Sequence, residues 1–391
     1  MSVVVAGVGM TPFATPSRAE TYDAMGERAI RAALADAELS IDEIRQAYAG
    51  YVYADSAAGQ TALYGVGTTG MPVLNVTNYC ASGSSALWLG RQAILSGSAD
   101  CVLVFGFEQM GRGAIGSVYE DRPDSLWRFS AARLTENRDS DAPLAAQFFG
   151  DAGIAYAEKY GMDPATFAQI TVKSRRHAAA NPYAVFRDPV TTEEVLASPH
   201  VYGPLTRLQC CPPTCGAAAA ILCTEDFAIS RGLETSVRIR AQAMTSDRSD
   251  TFSGDSMSLV GSGIARRAAD EIYEGSGVDP HDLGVVELHD CFTANEVIAY
   301  EALRLTPEGT SERFIFDGQN TYGGQVVTNP SGGLLSKGHP LGATGLAQCA
   351  ELVWQLRGTA GDRQVANASL ALQHNLGLGS ACVVTLYERT R

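Results

Sequence analysis

The sequence predicts an α/β fold made of two similar halves, with a mainly helical segment inserted into the first half. Short Val, Ile, Leu and Ala runs alternate with segments of helical period along the 391 residues. This rhythm favours a mostly parallel sheet with helices on its faces. Two glycine-rich strand-to-helix turns, at residues 78–86 and 336–345, occupy matching places in the two halves. A polar segment, residues 111–203, interrupts the first half and indicates the insertion.

The first half begins with a strand and continues as alternating strands and helices. Strands are predicted over residues 2–7, 47–53 and 101–107, and helices over residues 22–37 and 84–95. The insertion is rich in Arg, Asp and aromatic residues, with helical patterns over residues 145–160 and 164–180 and no clear strand. The sheet pattern returns at residues 216–223 and 237–239.

The second half repeats this order. Helices are predicted over residues 264–273, 294–302 and 346–356, and strands over residues 284–288, 369–373 and 381–387. We therefore infer an internal duplication, with the active site between the two halves. The predicted boundaries are residues 1–112 and 204–250 for the first half, 113–203 for the helical cap, and 251–391 for the second half.

Charge and cysteine content exclude several classes of function. The net charge of −14 argues against nucleic acid or an anionic membrane surface as the main partner. No stretch of 18 apolar residues occurs, so no membrane span is predicted. The nine cysteines are odd in number and irregularly spaced, which favours reduced thiols and a cytoplasmic location over a disulfide framework.

Cys80 and His339 are the reactive residues that the two glycine-rich turns present. Each stands six positions before a small residue at the head of a helix, Ala86 and Gly345 respectively. The dipole of a helix N-terminus is expected to lower the pKa of a thiol, and a histidine can take up the released proton. The pair predicts acyl transfer through a thioester on Cys80. A buried structural cysteine and a structural Gly-His-Pro turn are the alternatives.

Two further segments carry candidate groups. Residues 287–292 end a predicted strand with His289, Asp290 and Cys291, where α/β sheets place ligand-contacting side chains. Alternatively, Asp290 caps the following helix and Cys291 belongs to the core. Residues 372–379 are interpreted as a glycine loop between two strands, whose backbone N–H groups suit an oxyanion hole. A flexible hairpin-like turn is the alternative for this loop.

Other candidates are set aside. Cys210, Cys211 and Cys215 lack a second ligand pair at zinc spacing, so no metal site is predicted. The remaining histidines that stand in polar surroundings are predicted to lie at the surface: His177, His200 and His281.

With these motifs the chain resembles the thiolases, most closely the sterol-carrier-protein type of 3-ketoacyl-CoA thiolase. The similarity runs essentially end to end. It is strongest at residues 75–108, 208–221, 287–303, 320–356 and 371–387. The resemblance implies the thiolase fold, in which two βαβαβαββ halves form a five-layer α-β-α-β-α core and a loop domain is inserted in the first half.

The resemblance also implies a role for each site residue. Cys80 would be the nucleophile that the substrate acylates, and His339 would deprotonate it and help to bind the substrate oxygen. Most thiolases carry Asn-Glu-Ala-Phe where this chain has His-Asp-Cys-Phe at residues 289–292. In the sterol-carrier type, His289 would help to build the first oxyanion hole, and Cys291 would act as acid and base at the α-carbon of acetyl-CoA.

The second oxyanion hole would be formed by the backbone of Cys80 with the loop around Leu376 and Gly377. The resemblance implies no permanently bound cofactor; CoA enters as co-substrate, and the residues that bind it are not identified. Family members often carry an acidic residue in the stretch 213–216, where this chain has Cys215. The role of Cys215 is therefore left open.

The expected activity is thiolysis of 3-ketoacyl-CoA in fatty-acid or sterol side-chain degradation, by a homodimer or homotetramer. One rival is a carbon–carbon lyase (retro-aldolase) that acts on sterol-derived CoA esters with a small partner subunit. An acyltransferase to a non-CoA acceptor and a non-catalytic CoA-ester-binding protein are the others. The lyases typically lack the nucleophilic cysteine, so Cys80 argues against the first rival. The presence of both Cys80 and His339 argues against the binding protein.

Overall fold

The computed structural model describes residues 2–111, 116–119, 121–133, 140–378 and 381–390. The first half contains β1 (Val3–Met10), α1 (Tyr22–Asp36), β2 (Gln46–Gly50), α2 (Ala58–Tyr64), β3 (Val73–Val76), α3 (Ser82–Leu95) and β4 (Cys101–Glu108). The segment after β4 contains α4 (Trp127–Arg133), α5 (Leu144–Tyr160), α6 (Thr166–Ala178), α7 (Thr192–Ala197), β5 (His200–Tyr202) and β6 (Leu205–Thr206). The first half is completed by β7 (Gly216–Thr224) and α8 (Glu225–Arg231).

The second half repeats the arrangement. It contains β8 (Val237–Thr245), α9 (Ser256–Leu259), α10 (Ser262–Ser276), β9 (Val285–Glu287), α11 (Thr293–Ala302), α12 (Ser311–Phe316), β10 (Val327–Thr328), α13 (Gly333–Ser336), α14 (Leu341–Arg357), β11 (Leu370–Gly377) and β12 (Ala381–Arg389). Among the described residues, none of these helices combines the length and the apolar run that a bilayer crossing requires.

Strand order demonstrates the duplication. In spatial order, the five strands of the first half run β3-β2-β4-β7-β1 and the five strands of the second half run β10-β9-β11-β12-β8. The two sets join where β1 pairs with β8. In each set the first two ladders are parallel and the next two antiparallel. The mostly parallel sheet predicted from the sequence is therefore wrong. β4 and β7 are joined through the cap and not through a single crossover helix, and they pair antiparallel. β11 and β12 pair antiparallel because they form a hairpin.

The helices and sheets form five layers, as the predicted fold class requires. Along β4, Val102 and Val104 pack in the core that contains α3 and α14, whereas Leu103 and Phe105 pack in the core that contains α1 and α2. In the second half, β11 likewise contributes alternate residues to the core around α3 and α14 and to the core around α10 and α11. The order of layers is therefore α1 with α2, the strands of the first half, α3 with α14, the strands of the second half, and α10 with α11.

The two central helices approach each other closely at glycines. A Cβ atom on Gly83 of α3 would lie 2.5 Å from the Gly342 carbonyl oxygen of α14, and one on Gly345 would lie 2.1 Å from Ser84 Oγ. Only glycine permits this backbone separation. As a result, the N-terminal ends of α3 and α14 meet, and they bring the turn before each helix into one place.

The cap differs from its prediction in one respect. The sequence shows no clear strand in residues 111–203, but β5 lies at the end of this segment and pairs with β6. A three-residue strand is too short to leave a periodic signal. The cap helices also pack on the second half: Lys173 of α6 forms a buried ion pair with Glu296 of α11.

Candidate active site

Cys80 lies in a strained turn immediately before α3. Tyr79 has a φ of 47°, in the left-handed region that non-glycine residues rarely adopt. The turn is held by the backbone N–H of Asn78, which donates to Ser82 Oγ at 2.8 Å, and by the Ser82 hydroxyl, which donates to the Tyr79 carbonyl oxygen at 2.6 Å. The Cys80 side chain is half-buried and turned toward a small pocket.

His339 is held as a neutral base by its neighbours. Its Nδ1 lies 2.7 Å from Thr344 Oγ1, and the Thr344 hydroxyl donates to the Pro340 carbonyl oxygen at 2.9 Å. Because the only proton of that hydroxyl is already committed, Thr344 accepts, and Nδ1 of His339 carries the proton. Nε2 then has a free lone pair. This atom is buried and has no hydrogen-bond partner among the described residues.

The structure brings the predicted groups together. The Cys80 thiol and one ring nitrogen each of His289 and His339 all lie within 4.8 Å of one another. The two imidazole rings meet edge to face, with centroids 5.1 Å apart. Since Nδ1 of each ring is held by another residue, Nε2 of each ring faces the thiol. Cysteine and histidine more than 250 positions apart thus share one pocket, as the sequence predicts.

His289 has the opposite proton arrangement to His339. Its Nδ1 lies 3.1 Å from Asn375 Nδ2, which can only donate. Nδ1 therefore accepts, and the ring proton is at Nε2. The pocket accordingly contains one histidine that can take a proton from Cys80 and a second that can donate a hydrogen bond to a developing oxyanion.

A buried hydrogen-bond chain fixes the orientation of the Asn375 amide. Gln373 Nε2 donates to the Gly345 carbonyl oxygen at 2.6 Å and to Ser84 Oγ at 2.8 Å. A carbonyl can only accept, so the Gln373 amide has a single allowed orientation. The Ser84 hydroxyl then donates to Asn375 Oδ1 at 2.8 Å. A flipped Asn375 would leave the Ser84 proton without a partner in a buried site, which costs about 1–3 kcal/mol.

Cys291 and a second thiol, Cys211, lie beside Cys80. Cys210 and Phe292 form an antiparallel bridge, and the Cys211 N–H donates to the Cys291 carbonyl oxygen at 2.9 Å. The side chains of Cys211 and Cys291 both line the small pocket that contains Cys80. From the sequence, Cys211 is considered only as a metal ligand and is excluded because Cys210, Cys211 and Cys215 lack a second ligand pair at zinc spacing. No local signal could have identified it as a pocket residue.

Asp290 caps a helix, but not the one that follows it. The N-cap of α11 is Phe292, whereas the Asp290 carboxylate accepts from the backbone N–H groups of Leu334 and Leu335 at 2.7 and 3.4 Å. It therefore stabilises α13, the short helix that leads to His339. The prediction that Asp290 caps the next helix is wrong because the capping contact is made across the fold.

Residues 372–377 are strand, not loop. Leu376 pairs with Cys382 and Gly377 with Ala381 in the β11–β12 ladder, so the predicted glycine loop is wrong over these residues. The predicted loop also includes Gly379, which lies outside the described residues. Gly377 nevertheless packs against the Cys80 turn: a Cβ on it would lie 2.2 Å from the Asn78 carbonyl oxygen and 3.2 Å from the Ala81 nitrogen. This proximity fits a second oxyanion hole, whose assignment to Cys80, Leu376 and Gly377 stays a prediction.

Burial keeps the reactive groups neutral. It raises the pKa of the Cys80 thiol to about 12, and the nearby Glu108 carboxylate adds to the rise. The expected lowering of this pKa by the α3 dipole is therefore outweighed. Burial lowers the pKa of His339 to about 3 and that of His289 well below its usual range. The pKa of Cys291 is raised well above its usual range, mainly by burial.

Acylation of Cys80 is expected to be nearly independent of pH between about 5 and 9. His339 keeps its lone pair until the pH falls toward its lowered pKa, and Cys80 keeps its proton until the pH rises toward its raised pKa. The reactive pair, thiol and neutral imidazole, therefore prevails throughout this window. Rapid-quench mass spectrometry with acetyl-CoA measures the rate. An acid limb near pH 6.5, the ordinary histidine pKa, would contradict the burial argument.

A larger cavity of about 550 Å³ adjoins the small pocket and shares Cys211, Phe292 and His339 with it. It is lined mainly by apolar side chains from the cap and from the segment before β7. Cavities of this size and character suit small organic ligands. The cavity provides a route along which a thioester could reach Cys80.

The thiol and the two imidazoles are also within reach of a shared metal ion. Metal binding requires a lone pair on each imidazole nitrogen. In the tautomers set by Thr344 and Asn375, His339 offers a lone pair at Nε2 but His289 offers a proton. The donor set therefore favours acid–base and oxyanion chemistry over metal coordination.

Of the three histidines predicted at the surface, His200 and His281 are exposed and His177 is not. His177 is 3% exposed; its ring nitrogens lie 3.1 Å from the Asn329 carbonyl oxygen and 2.8 Å from Thr321 Oγ1. The surface prediction for His177 is wrong because α6 packs on the second half of the chain, a contact that polar neighbours in sequence do not indicate.

Comparison with known proteins assigns the chain to a family. A family model described as the thiolase N-terminal domain matches residues 3–226, and one described as thiolase C-terminal domain-like matches residues 246–389. The chain therefore belongs to the thiolase superfamily, as its motifs predict.

Individual relatives agree with this assignment. Sterol carrier protein 2 of Oryctolagus cuniculus is 50% identical over 391 residues, covering 99% of this chain and 72% of the relative. Benzoylsuccinyl-CoA thiolase subunit BbsB of Thauera aromatica is 34% identical, covering 99% of this chain and 97% of the relative. The solved structure of the Ltp2–ChsH2(DUF35) aldolase has a similar fold, with a TM-score of 0.83 at 24% identity, covering 100% of this chain and 98% of that chain.

Proposed function

We propose that the chain is a 3-ketoacyl-CoA thiolase, an acetyl-CoA C-acyltransferase that works through an acyl-cysteine. One observation carries the proposal: a single thiol faces two histidines whose protons are arranged oppositely, one as acceptor and one as donor. Thiolysis needs both functions in one pocket, because the base activates the thiol that attacks the 3-keto carbon and the donor stabilises the enolate oxygen of the departing acetyl-CoA. Membership of the thiolase superfamily supports the proposal.

The first half-reaction breaks the carbon–carbon bond. His339 Nε2 takes the proton of Cys80 as the sulfur attacks the 3-keto carbon. The bond between the α-carbon and this carbon then breaks, leaving an acyl thioester on Cys80 and the enolate of acetyl-CoA. The Nε2–H of His289 donates to the enolate oxygen, and the Cys291 thiol protonates the α-carbon.

The second half-reaction releases the acyl group. The thiol of a second CoA gives its proton to the Cys291 thiolate left by the first half-reaction and attacks the Cys80 thioester. The Cys80 thiolate leaves and takes back the proton held by His339. The tetrahedral oxygen formed here lies near the N–H groups of Cys80 and of the β11 end. The products are acetyl-CoA and an acyl-CoA shorter by two carbons.

The deciding assay follows acetoacetyl-CoA with CoA through the loss of enolate absorbance. Turnover that depends on CoA supports the proposal. Cleavage of a sterol-derived CoA ester without CoA would favour a retro-aldolase, and acyl transfer to another acceptor would favour an acyltransferase. Binding of CoA esters without turnover at any chain length would favour a binding protein.

Cys291→Ala is expected to stop carbon–carbon cleavage while leaving acylation of Cys80 by acetyl-CoA intact. Acylation by a simple thioester requires no proton transfer at the α-carbon, whereas cleavage does. Intact mass measures the adduct and the absorbance assay measures cleavage. The matched variant is Cys211→Ala, which removes the other thiol beside Cys80. If Cys211→Ala blocks cleavage and Cys291→Ala does not, the acid is Cys211.

We also propose a homodimer or homotetramer, in a degradative lipid pathway and in the cytoplasm. The edge strand β3 supports self-association, because it ends the sheet with Leu74 exposed and an unpaired backbone edge. The relative named as a thiolase subunit and the two-component aldolase leave room for a small partner protein as well. Analytical ultracentrifugation of the purified chain measures its oligomeric state.

A further inference from the structure

One buried charged side chain in the large cavity has no ion-pair partner in the part of the chain that the structure describes. Arg175 of α6 lines this cavity and is only 9% exposed. Its Nε is buried without a hydrogen-bond partner, and Arg175 forms no ion pair with any residue in the described part of the chain. Burying a charge without a partner is costly. A guanidinium kept in this state beside a cavity is therefore suited to bind an anion that enters it.

Arg175 is held in a fixed position relative to the reacting groups. Its guanidinium lies 4.6 Å from the centre of the Phe186 ring, which it covers. The Phe186 N–H donates to the Ser336 carbonyl oxygen at 3.0 Å. Ser336 ends α13, three residues before His339. The guanidinium is thus tied to the segment that carries the catalytic base.

The charged side chains that line the cavity are positive, although the chain as a whole is negative. The sequence has 43 acidic and 29 basic residues, yet the formally charged residues that line this cavity in the described structure are Arg175 and Arg207, with no acidic side chain. Asp188, which is exposed, partly offsets the lowering of the pKa of Arg175 by burial. The remaining lining is mostly apolar and includes Phe186. The cavity suits a ligand with an apolar body and an anionic group.

We propose that Arg175 binds an anionic oxygen group of the substrate thioester. Two parts of an acyl-CoA can supply it: a carboxylate carried on the acyl tail, or a phosphate of the CoA moiety. Arginine binds either group through paired N–H donors. The inference rests on the proposed function for the identity of the thioester as substrate, but Arg175 can be tested by binding alone.

The test compares four ligands by calorimetry in Cys80→Ala protein, which cannot be acylated. The ligands are glutaryl-CoA, valeryl-CoA and the corresponding pantetheine thioesters, which lack every phosphate. Arg175→Gln is expected to weaken binding about 10- to 100-fold, the effect of losing charge-assisted hydrogen bonds. If the group is a tail carboxylate, both glutaryl ligands weaken and both valeryl ligands do not. If it is a CoA phosphate, both CoA esters weaken equally and neither pantetheine thioester does.

Control variants separate binding from folding. Arg176→Gln makes the same charge change on the next residue, which is exposed and outside the cavity lining, and should leave all four affinities unchanged. Arg175→Lys keeps the charge but loses the paired donors, so it should retain part of the affinity. It also serves as the test variant if Arg175→Gln does not fold. Changes below about 2-fold for all four ligands in Arg175→Gln, or equal losses in Arg176→Gln, would overturn the inference. Because no turnover is measured, the result stands even if the chain proves not to be a thiolase.

Discussion

Cys80→Ala is expected to abolish thiolysis, with a loss of about 10⁴-fold or more. The sulfur is both the nucleophile and the site of the covalent intermediate, and no other group in the pocket can take both parts. Cys291 and Cys211 line the same pocket. However, the strained turn positions Cys80, and the base with a free lone pair, His339, lies beside the Cys80 thiol. Intact mass after incubation with acetyl-CoA should show an acetyl adduct in the unmodified chain and none in the variant.

The matched control for this change is Cys223→Ala. Cys223 lies fully buried in β7 and is not one of the residues that line the pocket, so the same substitution there should keep the adduct and the turnover. A persistent adduct in Cys80→Ala would show that another thiol is the nucleophile. Peptide mapping would then identify it.

Asn375→Asp is expected to reduce carbon–carbon cleavage about 100- to 1,000-fold, the range for removing one oxyanion donor. The substitution preserves shape but replaces the donor that faces His289 Nδ1 with an acceptor. The ring proton then moves to Nδ1, and Nε2 presents a lone pair to the developing oxyanion. Protonation of His289 would restore the Nε2–H, so the cleavage activity of the variant should recover partly as the pH is lowered. In the unmodified chain the neutral ring already carries this proton.

Nitrogen-15 NMR of labelled histidine reads the tautomer directly, and six histidines make the assignment tractable. The control is Asn320→Asp, the same change at a buried amide that donates to the Tyr300 hydroxyl instead. It should leave the His289 signals unmoved. If His289 has its proton at Nδ1 in the unmodified chain, or if Asn375→Asp leaves cleavage unaffected, the assigned role of the hydrogen-bond chain is wrong.

The sequence indicates the main parts of the site because those parts depend on local motifs. Cys80 and His339 stand in glycine-rich turns, and their equivalence follows from the repeated strand–helix order. The duplication and the helical cap are visible for the same reason. The antiparallel ladders are not, since the pairing of β4 with β7 depends on where the chain returns after the cap.

Protonation states cannot be predicted from sequence motifs. The helix start before Cys80 suggests a lowered thiol pKa, and only the surrounding protein reveals that burial dominates. The tautomer of His289 depends on a contact between Ser84 and Asn375, which are 291 positions apart. Arg175 and Cys211 gave no signal either, because an unpartnered charge and a shared pocket are properties of packing.

The hydrogen-bond chain behind His289 crosses from one half of the molecule to the other, since Ser84 belongs to α3 and Gln373 and Asn375 belong to β11. The tautomer of His289 therefore depends on the packing of the two halves against each other. A separation of the two halves would break the contact between Ser84 and Asn375, so the Asn375 amide would lose its fixed orientation and the tautomer of His289 would no longer be set. The hydrogen-bond donor for the oxyanion is therefore expected only in molecules whose two halves are packed together.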